Sequence, residues 1–431
     1  MLDFVQLLSH IDAMAEARSV RRGELALALG EAQRQIDLLA GGWEKLAEKL
    51  QGHEWPWVMA IPREPLNHRQ TAPQPPLKYA VVASDGSQIA PDRHEVSSCY
   101  LLNISQVRLV YGEDERPLIS SQPRLYYDEK DLSVDDGGVR IPLEGKYLAI
   151  RRMLDETLQL VELIRETVRD DRPCVGLADG TLIQWPISRE AQGYSRMALD
   201  MFLGALDGAQ ECGAPVVGYI SDPGGSSVVA TLRAALCPHG FLDGVRCPCV
   251  GGAANAPKAE PAPGLSTSPS DMGAAPAEVS FEAAAMTAEP AAPRSSCASL
   301  ELATDSRLFR ALLGPGERSA IFASTSQVLS RYGAHAVCFF YVNVGQEIAR
   351  VEIPLWVAES EADVNLVHAV VMDQANKGRG YPVALSEAHE RAVVQAGDRA
   401  LFYQMVEKAF FKRGIPAELS LKSVSKRQPL V

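Results

Sequence analysis

The sequence predicts an α/β protein in which a mixed sheet is flanked by helices. Short apolar runs at 77–83, 174–178 and 215–220 alternate with long helical patterns at about 146–169 and 189–212. Runs of this length predict buried strands, and strands that alternate with helices are typical of a sheet covered by helices. The remaining predicted elements are strands at 98–104, 107–111 and 124–127, a hairpin at 336–343 and 346–356, and helices at 362–374 and 386–411.

A helical segment is predicted to precede the sheet. Its apolar residues recur at spacings of four and three, as in an amphipathic helix: Leu25, Leu29, Ala32, Ile36, Leu39, Trp43, Leu46 and Leu50. Gly41-Gly42 interrupts the pattern, and each glycine lowers the stability of a helix by about 1 kcal/mol relative to alanine. This helix is expected either to pack on its own domain or to contact a second subunit or partner. The prolines at 62–76 then predict a linker.

A stretch at 255–296 is rich in Ala, Pro, Ser and Gly, and this low complexity predicts no fixed structure. Because strands and helices are predicted on both sides of it, it interrupts one domain rather than separating two. The predicted division is an N-terminal segment with linker at 1–75, a core in two parts at 76–236 and 305–431, and an insertion at 237–304.

The net charge of −12 narrows the possible functions. A module that holds nucleic acid by phosphate neutralisation alone is usually basic, so action on DNA would need local basic residues, metal ions or a partner. The sequence contains no apolar run of about 18 residues, so no membrane-spanning helix is expected. The first residues lack the pattern of a signal peptide, and we expect a cytoplasmic protein.

Two aspartates have matching contexts, since Asp85 and Asp179 each follow a predicted buried strand and precede a glycine. The first of these strands is predicted to end in a tight turn at 84–87. Ligand sites of α/β sheets form at the carboxyl ends of strands, and hard divalent cations prefer oxygen ligands. The pair therefore predicts a Mg²⁺ or Mn²⁺ site, against the simpler interpretation that each Asp-Gly is a turn. Haloacid dehalogenase phosphatases carry a similar element, but Leu177 occupies the position of their nucleophilic aspartate.

A third carboxylate is expected from the predicted helix at 146–169. Its acidic residues are Asp155, Glu156, Glu162 and Glu166. Most of them are expected to face solvent, and the sequence leaves both Glu156 and Glu162 open as the third ligand.

The C-terminal part supplies a histidine and a tyrosine. Ser386 is a predicted N-cap that would place His389 in the first turn of a long helix, with Tyr381 in the preceding loop. Helix N-termini favour anions. His389 is therefore a candidate metal ligand or proton carrier, and Tyr381 a candidate for positioning a phosphate or a water. The alternative for a single histidine is a structural role.

Four segments in this order resemble the NurA nuclease family: DGS at Asp85, DGTL at Asp179, IARVEIPLWVA at 348–358 and GYPVALSEAH at 380–389. The resemblance covers about 77–411 apart from the insertion. It implies an RNase H-like core with Mn²⁺-dependent (or Mg²⁺-dependent) 5′–3′ exonuclease and single-strand endonuclease activity on DNA. It also implies a homodimer that acts with the HerA hexameric ATPase in double-strand break end resection.

The resemblance also implies the residues of the site. The family's catalytic residues map to Asp85, Glu156 (with Glu162 as second choice), Asp179, Tyr381 and His389. Of these, Asp85, Glu156, Asp179 and His389 would bind metal. The implied mechanism is hydrolysis of a phosphodiester with two ions about 3.5–4 Å apart.

Two features depart from the family. Relatives carry a lysine where this chain has Ser221-Asp222-Pro223, so a phosphate-contacting lysine is not expected there. The insertion also carries four cysteines, which predict either a structural zinc or iron–sulfur site or thiols without metal: Cys237, Cys247, Cys249 and Cys297.

Two other functions are compatible with the sequence. One is a non-catalytic RNase H-like partner or adaptor protein, which would cleave nothing with any divalent metal. The other is a metal-dependent phosphohydrolase of small phosphoesters, which the acidic net charge of −12 also allows.

Overall fold

The structure is a computed structural model that describes residues 4–51, 55–91, 99–185, 193–238 and 297–415. Its helices are α1 (Phe4–Ala40), α2 (Trp43–Leu50), α3 (Lys146–Thr167), α4 (Gly193–Glu211), α5 (Ser227–Ala235), α6 (Asp305–Leu312), α7 (Leu355–Ala358), α8 (Glu361–Lys377), α9 (Val383–Ala392) and α10 (Ala396–Phe411). No helix within the described ranges combines the length and apolar character needed to span a bilayer.

The strands follow the chain in the same way. They are β1 (Ala60–Pro62), β2 (Gln70–Thr71), β3 (Tyr79–Ala83), β4 (Gly86–Ile89), β5 (Tyr100–Tyr111), β6 (Leu118–Tyr126), β7 (Ser133–Asp136), β8 (Val139–Pro142), β9 (Cys174–Asp179), β10 (Val216–Ser221), β11 (Glu317–Arg318), β12 (Phe322–Ser324), β13 (Val337–Asn343) and β14 (Ile348–Pro354).

One mixed sheet runs through the molecule in the order β1-β12-β13-β14-β10-β9-β3-β5, with β4 and β6 both paired to β5. β5 pairs antiparallel with both β3 and β6. On the other side of β3, β9 pairs parallel with β3 and β10 pairs parallel with β9. This arrangement confirms the α/β, RNase H-like fold class. β10, before the insertion, pairs directly with β14, after it, so a single sheet contains strands from both sides. The four segment boundaries stay predictions.

Helices cover both faces of the sheet because successive strand residues point to opposite sides. Ala80 and Val82 of β3 belong to the core under α3 and α4. Val81 and Ala83 belong to the core under α8 and α9. The central strands are therefore apolar on both faces, as expected for strands buried between two layers.

The N-terminal helices pack on the same molecule. Ala32, Ile36, Leu46 and Leu50 are buried in a third core, together with residues of α5, α6 and β13. This confirms the interpretation of the stripe at 25–50 as a face that packs on its own domain. Gly41-Gly42 separates α1 from α2, as the sequence pattern indicated.

The predicted turn at 84–87 is wrong. β3 and β4 pair with β5 in one continuous register, with Ala83 opposite Val107 and Gly86 opposite Ile104. Asp85 therefore lies within an extended stretch rather than at a turn. The two strands predicted at 98–104 and 107–111 are likewise a single strand, β5.

Two further predictions need correction. The predicted linker at 62–76 includes β2, which pairs with β11, while β1, just before it, pairs with β12; both therefore join the sheet. The helix predicted at 386–411 is two helices, since Gln395 and Asp398 form a capping box that begins α10. Pro382, not Ser386, is the N-cap of α9, and His389 consequently lies in its last turn. The low-complexity stretch at 255–296 lies outside the described residues.

Asp305 joins the helices on either side of the insertion. Its buried carboxylate accepts hydrogen bonds from the backbone N–H groups of Val228 (3.0 Å) and Val229 (2.9 Å) at the start of α5. It also accepts a hydrogen bond from the Tyr341 hydroxyl at 2.7 Å. One buried side chain thus satisfies the free donors of a helix that begins on the other side of the insertion.

Asp305→Ala should lower the free energy of unfolding by about 2–4 kcal/mol, because it leaves several buried donors without an acceptor. Tyr341→Phe removes one of these bonds and should cost about 1 kcal/mol. Urea unfolding followed by circular dichroism measures both. An Asp305→Ala protein as stable as the parent would contradict this role.

Candidate active site

Asp85 and Asp179 lie level with each other on neighbouring parallel strands. β3 pairs with β9 so that Ala83 is opposite Leu177. Continued by two residues, this register places Asp85 opposite Asp179. Because side chains alternate along a strand, both carboxylates lie on the face of the sheet that α8 and α9 cover.

Local hydrogen bonds orient the Asp85 side chain. Its Oδ1 accepts from the backbone N–H of Gly86 at 2.7 Å, and its own N–H donates to Ser105 Oγ at 2.9 Å. Its Oδ2 lies 3.0 Å from Nδ1 of His389. The structure therefore brings together two residues that are 304 positions apart in the sequence.

Helix α9 lies close enough to the sheet to place His389 over Asp85. Its buried face consists mainly of small residues, including Ala384, Ala388 and Ala392. The carbonyl oxygen of Ala392 accepts hydrogen bonds from Ser87 Oγ and from Asn103 Nδ2, the latter at 2.9 Å. The C-terminal end of α9 is thereby fixed to β4 and β5. The His389 side chain is 63 % exposed, so it faces both Asp85 and solvent.

Tyr381 lies in the loop between α8 and α9, on the other side of Asp179. Its ring packs edge-on against Tyr219 of β10, with 5.4 Å between ring centroids. Its hydroxyl acts as a hydrogen-bond donor to Asp179. The loop needs a glycine at Gly378, because a Cβ there would lie 1.8 Å from the carbonyl oxygen of Tyr381.

The surroundings of Asp179 disfavour its charge. Partial desolvation by neighbouring parts of the fold is the main cause that raises the pKa of this carboxyl, and the nearby charge of Asp85 raises it further. The hydrogen bond from Tyr381 and the proximity of His389 act in the opposite direction. Burial and the negative charge of Asp179 also raise the pKa of the Tyr381 hydroxyl, which stays protonated as a donor.

Glu156 reaches the two aspartates from α3, on the opposite face of the sheet. It does so at Gly86, where a Cβ would lie only 2.5 Å from Oε1 of Glu156. Burial, followed by the charges of Asp85, Asp155 and Asp179, raises the pKa of Glu156 to about 8, although Arg152 opposes the shift.

The contact between Glu156 and Arg152 does not satisfy the carboxylate. Oε1 of Glu156 lies 3.1 Å from Nε of Arg152, but this buried oxygen makes no hydrogen bond within the described part of the chain. Glu162, the second candidate from sequence, is 57 % exposed and lies 3.9 Å from Arg165. Of the two candidates, Glu156 is the one that lies beside both aspartates.

The donor set fits a hard divalent cation, because neighbouring carboxylates that repel one another are stabilised by positive charge between them. Within the described ranges, however, no three His, Cys, Asp or Glu side chains are close enough to form a ready metal site. Glu156 approaches from one face of the sheet and the aspartates from the other. A cation bound here would therefore have to draw these side chains together.

Two further features noted in the sequence lie at the end of β10 and at the two ends of the insertion. Ser221 donates a hydrogen bond to Glu347 at 2.7 Å. Cys237 and Cys297 line one cavity at the two ends of the insertion. Cys247 and Cys249 lie outside the described residues, and the zinc or iron–sulfur site stays a prediction.

Sequence reasoning missed two supports of the site. Gly86, interpreted as a turn glycine, instead admits Glu156 to the sheet. Glu352 of β14 accepts a hydrogen bond from Thr181 at 2.8 Å, just after Asp179. No local pattern marks a contact between residues 171 positions apart.

The fold and this cluster define the class, an RNase H-like α/β protein with an acidic site at two central parallel strands. The sequence model of the NurA domain family matches residues 79–394 of this chain. The chain therefore belongs to the NurA domain family.

The comparison with solved structures finds NurA structures that share little sequence with the chain. The crystal structure of the NurA nuclease from Sulfolobus solfataricus is 12 % identical, with 88 % of this chain and 95 % of that chain covered and a TM-score of 0.43. A structure of NurA with manganese is also 12 % identical, with 77 % and 89 % covered and a TM-score of 0.32. No curated protein matches the chain.

Glu156 should make the stability of the metal-free protein depend on pH. Its pKa is raised from 4.5 in the unfolded chain to about 8 in the fold. Its contribution to the free energy of unfolding is therefore fully present below pH 4.5. That contribution falls by roughly 3–5 kcal/mol as the pH rises through 8. Urea unfolding of the protein and of Glu156→Gln from pH 5 to pH 9 measures the difference.

Relative to Glu156→Gln, the parent protein should lose stability as pH rises. Glu162→Gln, an exposed change on the same helix, should follow the parent. Parallel stability curves for the parent and Glu156→Gln would show that the Glu156 pKa is not raised.

Proposed function

We propose that the protein is a divalent-metal-dependent nuclease that hydrolyses phosphodiester bonds in DNA. The observation that carries this proposal is that Asp85, Asp179 and Glu156 line one small cavity, with His389 and Tyr381 beside the two aspartates. Membership of the NurA domain family supports it, since a solved member is described as a nuclease and another structure contains manganese.

Mn²⁺ or Mg²⁺ would be held by carboxylate oxygens of Asp85, Asp179 and Glu156, with His389 as a further candidate ligand. Such a cation lowers the pKa of water and neutralises charge on a phosphate. Glu156, with a pKa of about 8, carries a proton near neutral pH. Its proton must leave when the carboxylate takes up a cation, so affinity for the cation should rise with pH.

The other two side chains complete the chemistry. Asp85 holds His389 through Nδ1, at 3.0 Å, which fixes the ring and leaves Nε2 to move a proton to or from solvent. The Tyr381 hydroxyl is a donor beside Asp179 and would orient a phosphate oxygen there.

We also propose the finer activities that the family resemblance implies. These are 5′–3′ exonuclease and single-strand endonuclease activity in double-strand break end resection, in the cytoplasm, with a HerA-type hexameric ATPase. The net charge of −12 supports the need for a partner, because this chain cannot attract DNA by its overall charge.

Asp85→Asn should lower Mn²⁺-dependent DNA cleavage by at least about a hundredfold while leaving the fold intact, because it removes a ligand charge. Glu156→Gln should also lose activity, and Glu162→Gln on the same helix should keep it. Cleavage of labelled single- and double-stranded DNA is measured with circular dichroism as the folding control. Full activity of Asp85→Asn would remove this residue from the mechanism.

The choice of substrates separates the alternatives. Parallel assays at equal Mn²⁺ use DNA, with and without the cognate ATPase, and a chromogenic phosphate ester. Hydrolysis of the ester alone would indicate a phosphohydrolase of small substrates. Cleavage of neither substrate would indicate a non-catalytic partner protein.

We propose that the protein is a homodimer and that the first half of α1 contributes to the interface. Phe4, Leu8, Ile11 and Met14 recur at spacings of four and three and are 69 %, 59 %, 43 % and 47 % exposed. Residues at such spacings share one face of a helix. An exposed apolar face of this kind is typical of an interaction site.

The double substitution Leu8→Glu and Ile11→Glu should convert the dimer to monomers, because it places four charges in an apolar interface. Sedimentation equilibrium measures the mass. Glu16→Lys, an exposed charge change on the same helix, is the control and should remain dimeric. A dimer that survives the double substitution would place the interface elsewhere.

A further inference from the structure

We propose that Thr181 and Glu352 are positioning residues that hold Asp179 in place for its cation. This inference rests on the proposed function, because it concerns the same site. Neither residue touches the reacting groups; both act through the turn that follows Asp179.

Glu352 reaches this turn across an intervening strand. Gly218 of β10 lies opposite Ala178 of β9 on one side and opposite Glu352 of β14 on the other. A Cβ at Gly218 would lie 2.7 Å from the Gly180 carbonyl oxygen and 3.3 Å from Cβ of Glu352. The missing side chain therefore lets the glutamate cross β10 and contact the turn.

The contact consists of two short hydrogen bonds to one oxygen. Oε2 of Glu352 accepts from the Thr181 hydroxyl and from the Leu182 backbone N–H, each at 2.8 Å. Its other oxygen accepts from Nε of Arg350 at 2.9 Å. Glu352 is 1 % exposed, so its position is fixed by these partners rather than by solvent.

The turn is otherwise held by its backbone. Gly180 has a φ of +101° and donates its N–H to the Tyr219 carbonyl oxygen at 2.8 Å. The Thr181 hydroxyl also accepts from the Ile183 N–H at 3.0 Å. Thr181 is thus the residue at which side-chain and backbone supports of the turn meet.

Thr181 also lies beside the acidic site. It lines the small cavity whose walls also include Asp85, Glu156 and Asp179. Groups that hydrogen-bond directly to metal ligands set their orientation, and their loss typically lowers metal affinity 10- to 100-fold. Thr181 and Glu352 act one step further out, through the backbone that carries Asp179. A buried ion pair is an expensive way to hold an ordinary turn, whereas it suits a turn that must present a carboxylate accurately.

The test compares Thr181→Val, which removes the hydroxyl at nearly constant shape, with Thr181→Ser, which retains it. Thr231→Val is the matched control. Thr231 is a buried threonine, with hydrogen bonds to the Ala60 N–H (3.0 Å) and carbonyl oxygen (2.9 Å), whereas Thr181 is partly buried. For each full-length variant, calorimetry measures Mn²⁺ binding, thermal unfolding measures stability, and DNA cleavage is followed against Mn²⁺ concentration.

Thr181→Val should weaken Mn²⁺ binding by about 10-fold or more. Thr181→Ser should restore the affinity to within about twofold of the parent. Thr231→Val should lower the melting temperature and leave Mn²⁺ affinity unchanged. If Thr181→Val does not fold, Thr181→Ala, smaller and also without the hydroxyl, takes its place.

The outcomes separate this inference from the proposed function. A parent protein that binds Mn²⁺ and cleaves DNA, with a folded Thr181→Val protein that does both equally well, would overturn the positioning role alone. A parent protein that neither binds Mn²⁺ nor cleaves DNA would overturn the proposed function and this inference with it.

Discussion

The repulsion between three carboxylates governs the arrangement around the central parallel strands. The register of β3 and β9 sets Asp85 beside Asp179, and Glu156 enters the same space from α3. Like charges at such a site cannot all ionise without compensation. The surrounding groups supply it in part: His389 at Asp85, the Tyr381 hydroxyl at Asp179, and Arg152 with a retained proton at Glu156.

Two glycines allow side chains to cross strands that would otherwise block them. Gly86 admits the Glu156 carboxylate from the α3 face, and Gly218 admits Glu352 from β14. In both places a Cβ would come within 3.0 Å of a neighbouring oxygen, a distance that normal packing excludes. The site therefore depends on the absence of a Cβ atom at Gly86 and Gly218 as much as on the acidic residues themselves.

The sequence predicts the parts of this structure that depend on local patterns. Apolar runs located β3, β9 and β10, and matching contexts singled out Asp85 and Asp179. Parts that depend on tertiary contacts were not predictable. The interpretation of Ser84 to Ser87 as a turn failed because Asp-Gly also occurs where an extended strand must accept a neighbouring side chain.

The choice of the third carboxylate shows the same limit. Glu156 and Glu162 are six residues apart, so their side chains point about 120° apart around the helix axis. The amphipathic pattern of the helix is compatible with either residue facing the sheet. Only the packing of α3 on the sheet turns Glu156 inward. His389 was placed in the wrong turn for a related reason: the break between α9 and α10 depends on a cap at Gln395 that competes with the apparent N-cap at Ser386.

A comparison of the buried charges separates the site from the rest of the fold. Asp305 and Glu352 are each buried, and each accepts several hydrogen bonds at 2.7–3.2 Å. Glu156 differs, because its buried Oε1 makes no hydrogen bond among the described residues.

A buried polar atom without a partner destabilises a fold, and a strongly raised pKa beside it is typical of functional sites. The structural carboxylates Asp305 and Glu352 accept hydrogen bonds from other groups of the protein on both of their oxygens. Glu156 retains hydrogen-bonding capacity that the fold leaves unfilled, beside the half-buried Asp85 and the exposed Asp179. Positive charge supplied from outside the chain is what would satisfy all three together, and this is the physical basis for assigning the cation, rather than a further protein side chain, to this position.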